Sequence, residues 1–179
     1  MNAAVCAQIL IDRFRIDSVI FTGVAGALDP SLNIGDIVIS EDCLQHDIDV
    51  SALGFEKGTI PYQEQSLFKA DPQLVELAER AGRMKTECTV VKGRVLSGDQ
   101  FIADRKKVEE LHSAFGGTCT EMEGAAVAQV CAMNKKSFVI IRSMSDKADG
   151  TASVNFTEFT ALAAEQSLKM VEGMIELMD

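Results

Sequence analysis

At 179 residues, 47% hydrophobic and 25% charged, the chain is long enough for one compact domain over 1–179 and too apolar for a disordered polypeptide. Its 17 basic and 27 acidic residues give a formal net charge of −10, the wrong sign for a nucleic-acid backbone partner. The apolar runs are too short to span a bilayer, the start has no signal-peptide pattern, and five scattered cysteines without a CxxC pair make a zinc site improbable, so a cytoplasmic protein with reduced thiols and no metal or cofactor is expected.

The spacing of Val5, Ile9, Leu10 and Phe14 predicts a helix over 2–14, with no strand before it and no convincing cap. Residues 18–22 (SVIFT) read as a strand buried on both faces, running into a tight small-residue loop, Gly23-Val24-Ala25-Gly26. A turn at Leu28-Asp29-Pro30 precedes a strand at 36–40 (DIVIS), and 46–52 is expected as a further short strand. The irregular stretch 54–70, with Gly58 and Pro61, is long enough to suggest function or an interface. Asp71-Pro72 supplies a capping side chain and a first-turn proline for a helix whose buried stripe is Leu74, Leu77, Ala78 and Ala81.

A strand at 89–96 and the loop Ser97-Gly98-Asp99-Gln100-Phe101 follow, then a charged helix at 104–115 broken by Gly116-Gly117. A short strand at 118–122 passes into a small-residue helix at 124–133. Residues 137–144 (SFVIIRSM) are the best central strand; a polar loop at 145–155 and a long amphipathic helix at 157–178 complete the chain. Alternating strands and helices predict an α/β fold of three layers, α/β/α, with a mixed, largely parallel central sheet.

Ligands of such sheets collect at the carboxyl ends of strands. Glu121-Met122-Glu123 lies where a strand becomes a helix, and a carboxylate there can accept both hydroxyls of a ribose. The plainer reading, which spacing alone favours, is a pair of solvated acids at a helix N-terminus. Asp146 follows the most hydrophobic strand, a suitable place for a general acid. Arg142, a charge inside that strand, is either paired with a carboxylate for structure or faces a ligand. His46-Asp47 imitates a catalytic pair, but adjacent side chains rarely face each other, and a surface or structural role is expected. The glycines at 23 and 26 permit close backbone approach to a ligand, without P-loop or GxGxxG spacing.

The motifs TGVAGAL (22–28), GDIVIS (35–40), HDIDVSALGF (46–55), SGDQFI (97–102), EMEGAAVAQVC (121–131) and RSMSDKAD (142–149) occur in this order. Together they resemble the 5′-methylthioadenosine/S-adenosylhomocysteine nucleosidases of the nucleoside phosphorylase/nucleosidase superfamily. The resemblance implies hydrolysis of an adenine N-glycosidic bond, in methionine salvage, without a cofactor. It implies that Asp146 delivers a proton toward purine N7 with Ser145 beside it, that Glu123 holds the ribose hydroxyls, and that Arg142 lies near the attacking water. Phe101, Ile102 and Met122 would enclose the purine, with Glu121 also in the substrate site; Val24, Ala25 and Gly26 would line the ribose floor, and Phe156 would cover the 5′-thio group. Leu53 and Pro61 would complete the pocket of the partner subunit in a homodimer. Many relatives carry serine where this chain has Val24. The resemblance further implies that the chain lacks the family's N-terminal strands and, with them, the glutamate that activates water.

Two other functions compete with hydrolysis. One is a phosphorylase acting on purine nucleosides, which the lack of a basic cluster around 23–26 disfavours. The other is a catalytically impaired remnant that binds adenine nucleosides, motivated by the absent glutamate.

Overall fold

The structure is a computed structural model that describes residues 1–146 and 152–178, the side chains of 152–158 excepted. Among the described residues, six strands and five α-helices run in the order α1 (Asn2–Phe14), β1 (Ser18–Ala27), β2 (Ile37–Gln45), β3 (Leu67–Lys69), α2 (Pro72–Lys85), β4 (Val90–Ser97), α3 (Arg105–Phe115), β5 (Gly117–Glu121), α4 (Gly124–Met133), β6 (Ser137–Asp146) and α5 (Ala152–Met178). The strands form one mixed sheet in the order β3-β2-β4-β5-β1-β6, whose longest ladders, β1 with β6 and β2 with β4, are parallel. An antiparallel pairing of β2 with β6 closes five of the strands into a ring, a feature that local sequence pattern does not encode.

Side-chain alternation along β2 and β6 divides the core. Val38, Phe138 and Ile140 pack toward α1 and α4 with Ala7, Val127, Ala128 and Cys131. Ile37, Ile39, Val139 and Ile141 face the other way, against Leu74, Ala78 and Ala81 of α2 and Met170 and Met174 of α5. This is the expected helix–sheet–helix layering. On α1 the buried residues are Ala7 and Ile11, whereas Val5, Ile9 and Phe14 are exposed.

Capping chemistry sets two helix starts. The Asp71 side chain accepts the Gln73 and Leu74 N–H groups at 2.9 and 3.2 Å, with Pro72 at the first helical position. Asp104 does the same for α3 through the Lys107 N–H at 2.9 Å.

Three expectations require correction. The small residues 23–26 continue β1 instead of forming a loop, because β6 runs alongside and pairs with each in turn, Gly23 opposite Arg142 and Ala25 opposite Met144. Residues 46–52 turn away from the sheet, ending in a single 3-10 turn at Ser51–Leu53. The irregular stretch contains a short edge strand, β3, antiparallel to the end of β2.

Candidate active site

A cavity of about 290 Å³ opens where the carboxyl ends of β1, β4, β5 and β6 meet the start of α4. Register explains its position. Gly26 of β1 lies opposite Thr120 of β5 on one side and Asp146 of β6 on the other. Opposed residues share a face, so the absent side chain at Gly26 leaves a floor flanked by Thr120 and Asp146.

Most of the residues expected at the substrate site line this cavity. Val24, Ala25 and Gly26 form the β1 wall, and Ser145 with Asp146 forms the β6 wall. Phe101 and Ile102 reach it from the β4–α3 loop, the ring of Phe101 being exposed and Ile102 buried. Glu121, Met122 and Glu123 contribute the segment between β5 and α4. Gln100 and Thr120 line it too; Gln100 lies inside the SGDQFI motif without an assigned role, and Thr120, just before the EME motif, is not singled out by the sequence. Phe156 lies outside the residues whose side chains are described, as do 147–149 at the end of the RSMSDKAD motif. Leu53, exposed, and Pro61, half-buried, are not on this wall.

The three carboxylates of the cavity are held differently. Asp146 is 2% exposed, and the Ser145 hydroxyl donates to its Oδ2 at 2.8 Å. Glu123 is exposed at the mouth, where its backbone N–H donates to Glu121 Oε2 at 3.1 Å.

Glu121 is turned into the protein. Its Oε1 accepts the Ser97 hydroxyl and the Gly124 N–H, and its Oε2 accepts Arg142 Nε at 3.1 Å and Nη2 at 2.5 Å. Both members of this ion pair are almost completely buried. The carboxylate comes this close to the start of α4 because residue 124 is glycine: a Cβ there would lie 3.1 Å from Glu121 Oε1. Of the two readings open for Arg142, the structure realises the carboxylate pair. The guanidinium also lies over the Phe21 ring at 4.4 Å and packs beneath Gly23, where a Cβ would come within 2.5 Å of Nη1. Arg142 is not among the residues lining the cavity, and it is paired with Glu121, which is. Of the two acids of the EME motif, Glu123 fits the plain picture of a solvated helix-terminal acid, whereas Glu121 is buried and does not.

Among the described residues lining the cavity there are three carboxylates and no Lys or Arg. Aromatic and aliphatic side chains, of which Phe101, Ile102 and Met122 are the largest, supply most of the remaining surface, and Gln100, Thr120 and Ser145 add polar groups. Such a cavity suits a flat, uncharged or cationic ligand with polar edges. No cluster of His, Cys, Asp and Glu among the described residues could hold a metal ion, and no helix among them is long and apolar enough to cross a membrane.

The sequence matches the Phosphorylase superfamily model over residues 1–176. It is 41% identical over 177 residues to the 5′-methylthioadenosine/S-adenosylhomocysteine nucleosidase of Bacillus subtilis, covering 98% of this chain and 76% of that protein. Among solved structures, the corresponding nucleosidase of Neisseria meningitidis in complex with methylthio-immucillin-A matches with a TM-score of 0.92 at 40% identity, over 97% of this chain and 75% of that one. A futalosine hydrolase mutant of Helicobacter pylori matches with a TM-score of 0.92 at 32% identity, over 97% and 75% of the respective chains.

Proposed function

The chain belongs to the phosphorylase superfamily, and on that premise we propose that it is a nucleosidase that hydrolyses the N-glycosidic bond of 5′-methylthioadenosine and S-adenosylhomocysteine to release adenine. The observation that carries this reading is the convergence of Asp146 and Glu123, from separate elements, on one cavity with Phe101, Ile102 and Met122.

In this reading the purine lies between the apolar side chains, with its N7 edge toward Asp146. Adenine is a poor leaving group until N7 accepts a proton. Asp146 delivers that proton, and the Ser145 hydroxyl, 2.8 Å from its Oδ2, fixes the carboxyl orientation. Glu123 accepts the ribose hydroxyls. As the C1′–N9 bond lengthens the sugar becomes oxocarbenium-like, and the negative charge of Glu123 favours that cation more than the neutral substrate. Glu121 and Arg142 act as the anchor beneath the site, holding the start of α4 and hence Glu123 in place.

Water is favoured over phosphate as the nucleophile because phosphate would meet three carboxylates in the lining and, among the described residues there, no Lys or Arg. The exposed Leu53 and the neighbouring turn at Pro61 support the homodimer reading, in which they close the partner's pocket.

The test is adenine release from methylthioadenosine with and without inorganic phosphate. Release independent of phosphate, with free 5-methylthioribose as co-product, is expected. Strict phosphate dependence would overturn hydrolysis, and tight nucleoside binding without adenine release would overturn the enzymatic reading.

A further inference from the structure

The parallel strands β2 and β4 end side by side, with Gln45 in register with Ser97. The chain therefore leaves both strands at the same height, His46-Asp47 from one and Gly98-Asp99 from the other. The His46 N–H donates to the Ser97 carbonyl at 3.0 Å, and the Gly98 N–H donates to the Glu121 carbonyl at 3.2 Å. The Asp47 carboxylate accepts the Asp99 N–H at 2.7 Å. The buried His46 ring lies so close to Gly98 that a Cβ there would be 2.5 Å from its Nε2 and 3.0 Å from Asp47 Cγ. These two adjacent side chains thus bear on one glycine.

The residues just beyond that glycine form the wall of the active-site cavity. Gln100, Phe101 and Ile102 border it on one side and a second cavity of about 440 Å³, reaching Asp104 and Lys107, on the other. A wall with space on both faces takes its position from its ends. Asp104, capping α3, fixes the far end.

We propose that His46 and Asp47 are positioning residues for the nucleoside pocket: they seat Gly98 and Asp99, and so hold Phe101 and Ile102 at the distance the purine requires. The proposal rests on the nucleosidase reading. Burial pushes the His46 imidazole below its ordinary value and Lys107 adds to this, against opposition from Asp47 and Glu121, so a neutral ring is the form that packs on Gly98.

The test compares the parent protein with Asp47→Ala and Asp47→Asn. Asp47 is exposed, so neither variant threatens the core. Asp47→Ala should raise KM for methylthioadenosine about 10-fold, the order of one lost charge-assisted hydrogen bond, with kcat changed by less than about 3-fold. Asp47→Asn, whose amide oxygen still accepts the Asp99 N–H, should recover most of the loss. Hydrogen exchange of the Asp99 amide should accelerate in Asp47→Ala whether or not the protein turns over. An unchanged KM, a fall in kcat alone, or an asparagine variant no better than alanine overturns the proposal. If the parent releases no adenine, the nucleosidase reading fails by itself, and unchanged Asp99 exchange would then overturn the positioning role separately.

Discussion

Replacing Glu121 by glutamine removes one charge from an ion pair whose side chains are 3% and 1% exposed. The amide oxygen can still accept from Ser97 and Gly124, but the NH2 in place of Oε2 cannot accept from Arg142 or from the Glu123 N–H, so Arg142 loses its counter-charge and the start of α4 loses one acceptor. Removing one partner of a buried pair costs about 3–5 kcal/mol, because the other charge stays buried without compensation. In a protein of this size each kcal/mol lowers Tm by about 2–4 °C, so Glu121→Gln should melt roughly 6–20 °C below the parent. Arg142→Met should also be destabilised, although Glu121 would keep the Ser97, Glu123 and Gly124 donors. The double variant should lose less than the sum of the two, with a coupling of at least about 1 kcal/mol. Circular-dichroism melts and urea titrations of the four proteins measure this cycle. A Glu121→Gln protein melting within about 2 °C of the parent, or strictly additive losses, would refute the anchoring role and return Glu121 to the substrate.

Asp146→Asn should lower adenine release by at least about 100-fold, the lower range for lost general-acid help, with little change in the melt; near-normal turnover would remove Asp146 from the chemistry. Glu123→Gln, at an exposed position, should reduce kcat/KM for the nucleoside while calorimetry shows unchanged adenine affinity; equal losses would make it a base contact. Because burial lowers the His46 pKa, the folded protein binds that proton less readily than the unfolded chain. Stability is therefore full above the ordinary imidazole value of about 6.5 and falls as pH drops through it toward the lower folded value, and urea midpoints should decline less steeply between about pH 7.5 and 5.5 in His46→Gln than in the parent. Asp71→Ala should cost about 1 kcal/mol by urea titration, since Gln73 and Leu74 lose their N-terminal acceptor.

Helices were the most legible part of the sequence because their signals are local. Residues 2–14 and 124–133 are helical with the expected bounds, and Asp71 caps its helix as expected, whereas Asp104, expected as the first helical residue, is the cap before Arg105. The strands were harder where pairing decides. Residues 23–26 carry turn chemistry, yet they extend β1 because β6 supplies a partner along their length and Arg142 occupies the space over Gly23. The closure of β2 on β6 rests on residues about a hundred positions apart, beyond any local pattern. In the site, strand-end position and motif resemblance were sufficient to collect Val24, Phe101, Met122, Glu123 and Asp146 on one cavity. The division of labour between Glu121 and Glu123 was not readable, because it depends on Arg142 reaching across from β6 to the end of β5.

That division bears on the choice of nucleophile. A helix N-terminus offers free N–H groups and a positive dipole end, which suit an anion such as phosphate. At α4 these donors are already taken: Gly124 by Glu121, Ala125 by the Ser97 hydroxyl at 2.7 Å, and Ala126 and Val127 by the Glu123 carbonyl, both at 3.1 Å. The Glu121 carboxylate also offsets the dipole end from within the protein, and Arg142 is engaged by the same carboxylate. The N–H donors of this terminus are thus taken before a ligand arrives, and Arg142 gives its Nε and Nη2 to Glu121, with only Nη1 left unpaired among the described residues. Glu123 and Asp146 then face the cavity beside a helix end with no donors to spare, a field that favours a sugar gaining positive charge over a phosphate dianion.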